Sequence, residues 1–439
     1  MTSDTERSLS HIAEPSASEA RRVALSSFLG NTIEFYDFLL YSSAAALIFG
    51  PLFFSNLSPA LGTIASFATL ATGYVARPLG GMFFGHLGDR IGRKSTLIAT
   101  MLVMGISSGL IGLMPTHAQA GALAPILLVV LRLAQGFAVG GEWGGATLMA
   151  AEHAPAGKRG RYTGIAQMGL PLGGLLSTVV FVGVTQLPQQ QLLGWGWRVP
   201  FLVSFVLLGV GLYLRMRIDE SPVFATMAQH RADRRTPIVE AFRRHWRNIV
   251  RGIVLCFPAV MVTSLFGSFA VSYAAGNGWS RPTVLAALST AWGTSVICTG
   301  VYARLSDRFG RRPVYLAGAI GLALAIYPTF LVIDNHVVWA LFLALPLVLS
   351  ITTCAMSATF GALLSEMFGT ETRYTSVSVA YQTGSVLAGF TPVVAGALLT
   401  AAGGGTHSTL IAITAIVLTI LAASVAVTLP ESKGSSLAE

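Results

Sequence analysis

Long, continuous runs of apolar residues dominate this chain of 439 residues and decide what it can fold into. A helix needs about 20 mainly apolar residues to cross the hydrocarbon layer of a membrane. The strands of a membrane barrel are about half as long and alternate in polarity, which these runs do not. The runs therefore predict an all-α integral membrane protein. Its twelve predicted transmembrane helices are 25–49, 60–86, 97–115, 122–150, 162–186, 197–215, 250–275, 284–303, 313–333, 336–364, 374–402 and 407–429.

Composition agrees with this class of protein. Charged residues make up 11% of the chain and hydrophobic residues 53%, whereas soluble domains carry about 25% charged residues. A disordered chain would need low hydrophobicity and high net charge. The three cysteines fall inside apolar runs, so no disulfide framework is expected. The first 24 residues are polar and do not resemble a cleaved signal peptide, so the first span is expected to direct insertion.

The basic residues are concentrated in every second loop. Of the 28 lysines and arginines, 24 fall in the tails and loops that an even number of spans places on one side. Because basic residues stay on the cytoplasmic side during insertion, both termini are predicted to be cytoplasmic in a multi-pass protein of the cell membrane. The net charge of +9 therefore describes topology, and no nucleic-acid partner is expected.

The longest polar stretch between spans divides the helices into two sets of six. It predicts an N-terminal tail at 1–24, a bundle at 25–215, a linker at 216–249, a second bundle at 250–429 and a tail at 430–439. The linker is expected to lie against anionic headgroups, with a regulatory site as the alternative. Its arginines include Arg231, Arg234, Arg235, Arg243, Arg244 and Arg247.

A ten-residue motif follows the second span of each half. Residues 85–94 read GHLGDRIGRK and residues 303–312 read ARLSDRFGRR. Glycine allows a tight turn and a close approach between helices, and Asp89 can stabilise a neighbouring helix N-terminus, while the basic residues are expected at the headgroups. The motif residues are Gly85, Gly88, Asp89, Arg90, Gly92, Arg93 and Lys94 in the first half, and Asp307, Arg308, Gly310, Arg311 and Arg312 in the second.

A second match supports this internal repeat. Glu152 and RYT at 161–163 correspond to Glu366 and RYT at 373–375, each just after the fourth span of its half. Two pseudo-symmetric six-helix bundles are therefore predicted. Paired halves with a binding site between them are the plan of many secondary transporters.

The first span carries two carboxylates, Glu34 and Asp37, on roughly one face of the helix with Tyr41. Carboxylates inside a span face protein or a water-filled cavity, and a carboxyl group that has lost its water holds a proton more readily. We therefore expect proton coupling at these two residues. The alternative is a static ion pair with Arg77, at similar depth on the second span.

The fourth span carries Arg132, Gln135 and Glu142 on one broad face. A guanidinium is always charged and can bind a carboxylate through two hydrogen bonds, so Arg132, with Arg77, is expected to bind an anionic substrate. A permanent pair of Arg132 with Glu142, or with a carboxylate on another helix, is the alternative; otherwise Glu142 is a third candidate for proton coupling. Further substrate-binding candidates, all uncharged polar residues within spans, are Tyr41, Gln135, Gln167, Tyr381 and Gln382.

Other classes of function find little support. A nucleotide-binding loop needs Gly-x-x-x-x-Gly-Lys-Ser/Thr, which neither Lys94 nor Lys158 completes. The eight histidines lack paired metal-ligand spacing, and no nucleophile–base motif stands out. We therefore expect no enzyme, no metal site and no cofactor, with the proton gradient as the energy source.

Together these residues resemble the major facilitator superfamily, whose signature between its second and third helices is matched by Gly85 through Lys94. The resemblance narrows to the metabolite–proton symporter branch and covers nearly the whole chain. It implies that the repeated motif is a latch that stabilises one carrier conformation. It is supported by NTIEFYDFLLY (31–41), ARPLGG (76–81), RLAQGFAVGGEWGGA (132–146), GWGWRVPF (194–201), ESPVF (220–224) and RYTSVSVAYQ (373–382).

Within that branch the first half looks most like the shikimate-type carriers. The resemblance implies proton-coupled uptake of a small organic carboxylate, such as shikimate or a di- or tricarboxylate, by a monomer in the bilayer that alternates access between its bundles. Proline/betaine-type carriers are the alternative, although they often end in a long coiled-coil tail and only residues 430–439 follow the last span here. Drug efflux by antiport and a transport-inactive sensor are further alternatives.

Overall fold

The computed structural model describes residues 17–155, 157–220, 237–369, 372–402 and 408–433. Within these residues all regular secondary structure is helical, and twelve long helices, α1 to α12, follow the predicted order. Some residues singled out from the sequence lie outside the described ranges. These are Arg231, Arg234 and Arg235 of the linker and residues 1–16 and 434–439 of the predicted tails.

The first half contains α1 to α6. Helix α5 is interrupted and consists of two consecutive segments. A π turn at Leu192–Gly196 precedes α6. The bounds are Ala17–Leu47 (α1), Pro59–Ile91 (α2), Arg93–Leu113 (α3), Leu123–Glu152 (α4), Arg159–Gln167 with Gly169–Thr185 (α5) and Arg198–Met216 (α6). Short helices at Phe49–Phe53, His117–Ala120 and Gln189–Gln191 lie in the connections.

The second half contains α7 to α12. Helix α7 begins at Pro237, so the last part of the stretch predicted as a linker is already helical. Helix α7 consists of Pro237–Ser264, a π turn at Leu265–Phe269 and Ala270–Gly276, and α10 consists of Val338–Pro346, a π turn at Leu347–Thr352 and Thr353–Met367. Helix α11 has two segments, Arg373–Gly389 and Thr391–Ala401. The remaining bounds are Arg281–Phe309 (α8), Arg311–Asp334 (α9) and Thr409–Thr428 (α12).

Helices α1 and α2 differ in composition from the rest. In the described part of the chain, ten helical segments, corresponding to α3 to α12, are long and apolar enough to cross a membrane. Helices α1 and α2 are at least as long but fall outside this set. They carry Glu34, Asp37 and Arg77, three of the charged residues of the predicted site.

Helices α2 and α4 pack with their backbones almost in contact. A Cβ atom added to Gly136 or Gly140 of α4 would overlap backbone atoms of Gly73 or Arg77 on α2. Small residues allow membrane helices to approach this closely. The packing brings the side chains of Arg77 and Arg132 to the same small gap in the first half.

The two copies of the repeated motif form equivalent turns at one end of the bundle. Gly92, between α2 and α3, has a φ of 114°, and Gly310, between α8 and α9, has a φ of 105°. Such values favour glycine, which lacks a Cβ atom. We call this end of the bundle the motif face. The halves meet along α11 against α2 and α4, and along α8 against α5.

Candidate substrate and proton site

Four charged side chains of the predicted site lie buried on α1, α2 and α4. Glu34 and Asp37 of α1 are each 1% exposed, Arg77 of α2 is 5% exposed and Arg132 of α4 is 1% exposed. Charges at such depth in a membrane protein are costly and usually functional. Three of them, Glu34, Arg77 and Arg132, line one small gap together with Gln135.

Aromatic rings support both guanidiniums. The Arg77 guanidinium carbon lies 4.4 Å from the ring centroid of Phe38 and 4.7 Å from that of Tyr74. The same atom of Arg132 lies 4.9 Å from the Phe38 centroid and 4.2 Å from that of Tyr41. Cation–π contacts stabilise a desolvated cation without neutralising it. The predicted residue Tyr41 therefore supports Arg132 through its ring.

Neither arginine is neutralised by a carboxylate. Among the described residues, no carboxylate oxygen lies within 4.0 Å of Arg77 or Arg132, so the static pairs of Arg77 with Glu34 or Asp37, and of Arg132 with Glu142, are not formed. Arg132 donates from Nη1 to Gln135 Oε1 at 2.5 Å. Within the described part of the chain, its Nε and Nη2 atoms, and Nε of Arg77, have no hydrogen-bond partner. The gap thus holds donors that no described residue satisfies, but in this conformation it has no space for an anion.

The three carboxylates differ in how they are held. Glu34 Oε2 has no hydrogen-bond partner. Asp37 Oδ1 accepts a hydrogen bond from Ser204 at 2.5 Å, while its Oδ2 has none. Glu142 accepts a hydrogen bond from Thr100 at 2.5 Å and forms an ion pair with Arg215. Of the three carboxylates, Glu34 therefore has the fewest hydrogen bonds and ion pairs to described residues.

Arg215 was missed by the sequence analysis. Its position at the end of α6 placed it among the cytoplasmic basic residues, but the structure buries it to 1% exposure beside Glu142. Gly30 of α1 leaves room for this pair, since a Cβ atom there would overlap the Arg215 guanidinium. An arginine at the end of an apolar run looks the same in sequence whether it turns outward or inward.

A second cavity, of about 40 Å³, lies between the two halves. Gln167 of α5 and Tyr381 of α11, both predicted candidates, line it. Trp143 of α4 stacks on Tyr381 with 3.5 Å between ring centroids and donates from Nε1 to Gln167 Oε1 at 2.9 Å. Gln382 lines neither cavity and donates to the carbonyl of Val139 at 3.1 Å.

The wall of this cavity from the second half is uncharged and rich in hydroxyl groups. Its polar residues are Thr263, Ser295, Thr299, Thr353 and Ser357. No sequence pattern marks these residues, because serine and threonine in a span often bond only to their own helix, as Thr299 does to the carbonyl of Ser295. Among the described residues, no group of three or more His, Cys, Asp or Glu side chains could hold a metal ion.

The two motif aspartates join the halves at the motif face. Asp89, near the end of α2, accepts hydrogen bonds from the backbone N–H groups of residues 374 and 375, at 3.3 and 3.0 Å. Asp307, near the end of α8, accepts hydrogen bonds from those of residues 160 and 161, at 2.8 and 2.7 Å. Each carboxylate thus lies at the N-terminus of a helix from the other half, where the helix dipole favours negative charge.

Each aspartate belongs to a cluster of charged residues from four helices. In the first ionic cluster, Arg93 lies 3.9 Å from Asp89 and 3.3 Å from Glu152, and Arg373 lies 3.6 Å from Glu152. The second ionic cluster repeats this arrangement. Its members are Asp307, Arg311 (2.7 Å from Asp307 and 3.3 Å from Glu366), Glu366 and Arg159 (3.8 Å from Glu366).

Two details of the predicted motif are wrong. Arg93 was expected at the headgroups, but it is 1% exposed because the first ionic cluster buries it, and its counterpart Arg311 is buried in the same way. The counterpart of Arg373 is Arg159 rather than Arg161. Arg159 follows Glu152 by seven residues, as Arg373 follows Glu366. The RYT sequence at 161–163 therefore begins two residues later than the position that is structurally equivalent to Arg373.

A further repeated carboxylate completes each copy. Glu220, just after α6, accepts hydrogen bonds from the N–H groups of Arg93 (3.0 Å) and Lys94. Glu431, just after α12, does the same for Arg311 (2.8 Å) and residue 312. Each glutamate stabilises the N-terminus of the third helix in its half. The shared Glu-Ser pair at 220–221 and 431–432 would have revealed this repeat.

Comparison with known proteins identifies the family. A family model described as "Sugar (and other) transporter" matches residues 23–248, more than half of the chain, and the model of the major facilitator superfamily matches residues 253–439. The chain belongs to the major facilitator superfamily. This confirms the predicted class, an all-α multi-pass membrane transporter rather than an enzyme.

Several curated relatives refine this placement within the superfamily. The chain is 41% identical over 402 residues to the shikimate transporter of Escherichia coli strain K12, covering 90% of this chain and 91% of the relative. It is 38% identical over 418 residues to the inner membrane metabolite transport protein YhjE of the same strain, covering 91% and 93%. The proline/betaine transporter of Salmonella typhimurium is 33% identical over 386 residues, covering 85% and 77%. These relatives confirm the metabolite–proton symporter branch.

Solved structures of the superfamily share the fold. The proton:xylose symporter XylE bound to 6-bromo-6-deoxy-D-glucose superposes with a TM-score of 0.80 at 20% sequence identity, covering 96% of this chain and 98% of XylE. At this level of identity the likeness concerns the fold alone. It confirms the architecture of twelve helices that is characteristic of major facilitator transporters.

Proposed function

We propose that the chain is a proton-coupled symporter that takes up a small organic carboxylate of the shikimate type. Its two six-helix halves alternate access to a site between them. The proton gradient supplies the energy without a cofactor, and a single chain in the bilayer is the working unit.

One observation carries this proposal. Two buried guanidiniums, Arg77 and Arg132, share a gap with Glu34 without pairing with it. An anionic substrate supplies the missing charge for the arginines, and a proton on Glu34 removes a competing negative charge. Because each event makes the other more favourable, binding of proton and substrate is linked.

The remaining candidates take supporting roles. Tyr41 and Gln135 orient Arg132, while Gln167 and Tyr381 contact the substrate from the cavity between the halves. Asp37 is the second choice for the proton. The pairing of Glu142 with Arg215 favours a structural role for that carboxylate, and the contact of Gln382 with a carbonyl favours the same.

The motif face is assigned to the cytoplasm, together with both termini. This end carries Arg90, Arg308 and the basic residues at the start of α7, as expected for cytoplasmic loops. Both ionic clusters are closed across the halves, so access from the cytoplasm is closed in this conformation. Transport then requires the two motifs to act as latches that open and re-form in each cycle.

The cavity wall supports a hydroxylated carboxylate as the substrate. The substrate carboxylate binds to Arg77 and Arg132 of the first half. The substrate hydroxyl groups contact Ser295, Thr299 and Ser357 of the second half. The relative that is a shikimate transporter agrees with this assignment. The proline/betaine relatives support the alternative of a quaternary amine, for which Trp292 and Phe360 of the same wall offer aromatic faces.

Counterflow in proteoliposomes distinguishes these substrates. Vesicles loaded with unlabelled shikimate, 2-oxoglutarate, citrate or betaine are diluted into a trace of the same labelled compound. We expect transient accumulation with shikimate, or with another of the carboxylates, and none with betaine. Accumulation with betaine alone would establish the compatible-solute alternative, and exchange of an organic cation alone would indicate drug efflux.

A further inference from the structure

Helix α7 is longer than a membrane span requires. Its first segment has 28 residues and continues into a π turn of five. At 1.5 Å per residue this stretch is roughly 50 Å long, whereas the hydrocarbon layer is about 30 Å thick. Several turns must therefore lie outside that layer. The charged residues of α7 are all near its start, so the excess is at the motif face.

One side of these first turns packs against the second half. Ala241 and Ile249 are buried, at 0% and 3% exposure. His245 contacts the ring of Phe368 edge to face, and Asn248 donates to the carbonyl of residue 367 at 3.3 Å. The buried residues recur about every four positions, which fixes the rotation of the helix about its axis.

The opposite side presents two adjacent rows to the surroundings. Phe242, Trp246 and Val250 are 44%, 54% and 48% exposed. Each is followed directly by an exposed arginine, which gives a second row at the same four-residue spacing. Residues four apart lie next to one another on a helix surface. The arginines of this row are Arg243, Arg247 and Arg251.

The charges of this row are available to an external partner. In the described part of the chain none of the three arginines lies within 4.0 Å of a carboxylate, whereas the neighbouring Arg244 pairs with Glu240 at 2.9 Å. Arg251 donates to Asn248 at 3.2 Å, and Arg247 lies over the ring of Trp246. Both contacts leave the charge in place.

We propose that this double row on α7 is a binding site for the headgroups of anionic phospholipids. Trp246 and Phe242 insert at the boundary between headgroups and acyl chains, which tryptophan prefers. The three guanidiniums bind phosphate oxygens, for which their planar donors are suited. An exposed apolar row beside a basic row is the pattern of a helix that lies in a membrane interface.

Fluorescence of Trp246 reports on this site directly. The protein is placed in phosphatidylcholine nanodiscs with rising fractions of brominated phosphatidylglycerol, or of brominated phosphatidylcholine as the neutral comparison. The Trp246 signal is the difference between the parent and its Trp246→Phe variant. We expect half-maximal quenching at an at least fivefold lower fraction of the anionic than of the neutral lipid, because a single basic residue near an anionic surface already favours binding by about fivefold.

Matched variants separate the site from general charge. The triple variant Arg243→Gln/Arg247→Gln/Arg251→Gln should remove the preference, and Arg247→Gln alone should weaken it by about fivefold. The control Arg21→Gln/Arg22→Gln/Arg304→Gln removes three exposed charges that are not motif residues and should retain it. Equal quenching by both lipids, an unchanged triple variant, or reversal of quenching by inorganic phosphate at millimolar concentration would overturn the proposal.

Discussion

At the scale of single residues, the first half holds its buried charges in two different ways. Glu142 and Arg215 neutralise each other, whereas Glu34, Arg77 and Arg132 form no ion pair with any residue of the described ranges. Removing one member of a buried pair leaves an uncompensated charge and is strongly destabilising. Removing a charge that has no partner has no such penalty, so substitutions in the two groups should have different consequences.

Replacing Arg132 by Gln should abolish substrate binding without loss of folding. The guanidinium is the proposed partner of the substrate carboxylate, and loss of such a contact costs about 2–5 kcal/mol, at least a thirtyfold drop in affinity. The measurement is half-saturation of counterflow, with the exposed Arg304→Gln as the control variant. An affinity within twofold of the parent would reject the assigned role.

Replacing Glu34 by Gln should separate exchange from proton coupling. Counterflow needs no net proton movement, so it should persist in Glu34→Gln, while accumulation driven by a proton gradient should be lost. Asp37→Asn is the comparison, since Asp37 already has one hydrogen bond from Ser204. If Asp37→Asn alone loses accumulation, the proton is carried by Asp37 and the assignment to Glu34 is incorrect.

Replacing Glu142 by Gln should destabilise the fold by leaving Arg215 buried without its counter-charge. The expected loss is about 3–5 kcal/mol, seen as a lower midpoint of thermal unfolding in detergent. The double variant Glu142→Gln/Arg215→Met should recover much of this loss, because it removes both charges. A single variant as stable as the parent would show that the pair is dispensable.

At the scale of helices, the contact of α2 with α11 depends on a glycine of the motif. A Cβ atom on Gly88 would overlap the ring of Tyr374, whereas Gly209 on α6 has open space around it. Gly88→Ala should therefore prevent closure of the first ionic cluster, and Gly209→Ala should not. The substitution acts on one inter-half contact without altering any charge.

Cys354 provides the readout for this substitution, since it lines the cavity between the halves. In a Cys256→Ser/Cys298→Ser background it is the single thiol. An impermeant maleimide applied from the motif face should label Cys354 about tenfold faster in Gly88→Ala, the change expected if the closed state loses about 1.4 kcal/mol. Equal rates in Gly88→Ala and Gly209→Ala would contradict the proposed latch.

The helices themselves were predictable because apolar runs of this length have few other solutions in a membrane. What the sequence could not show is the direction of a side chain at a helix end. Arg93 and Arg215 are both buried, because the fold brings Glu152 and Glu142 to them. The register of the repeat likewise depends on the Arg159 contact with Glu366, which no local pattern reveals.

The charged residues of the site could be predicted from the sequence, whereas many of its uncharged residues could not. Charges within apolar runs are rare, so Glu34, Arg77 and Arg132 were identified from sequence, and the structure places them at one gap. Hydroxyl residues such as Ser295 and polar aromatic residues such as Trp143 are common in membrane helices. Their roles depend on neighbours from other helices, and only the packed structure identifies those neighbours.

At the scale of the whole molecule, the described conformation is too closed to hold a substrate. The cavity between the halves measures about 40 Å³, whereas sites for small organic molecules occupy roughly 300–1,000 Å³. Closed ionic clusters at the motif face hold the halves together at that end. The halves must therefore separate for binding, which is the movement that alternating access requires.

The most direct test of proton-coupled carboxylate uptake is shikimate transport by reconstituted protein under an imposed proton gradient. With an acidic outside and a neutral lumen, we expect shikimate to accumulate above its external concentration and the lumen to acidify in step with uptake, as reported by a trapped pH dye. A protonophore should abolish both effects. Uptake that reaches the same level with and without the gradient, and leaves the luminal pH unchanged, would contradict proton-coupled uptake.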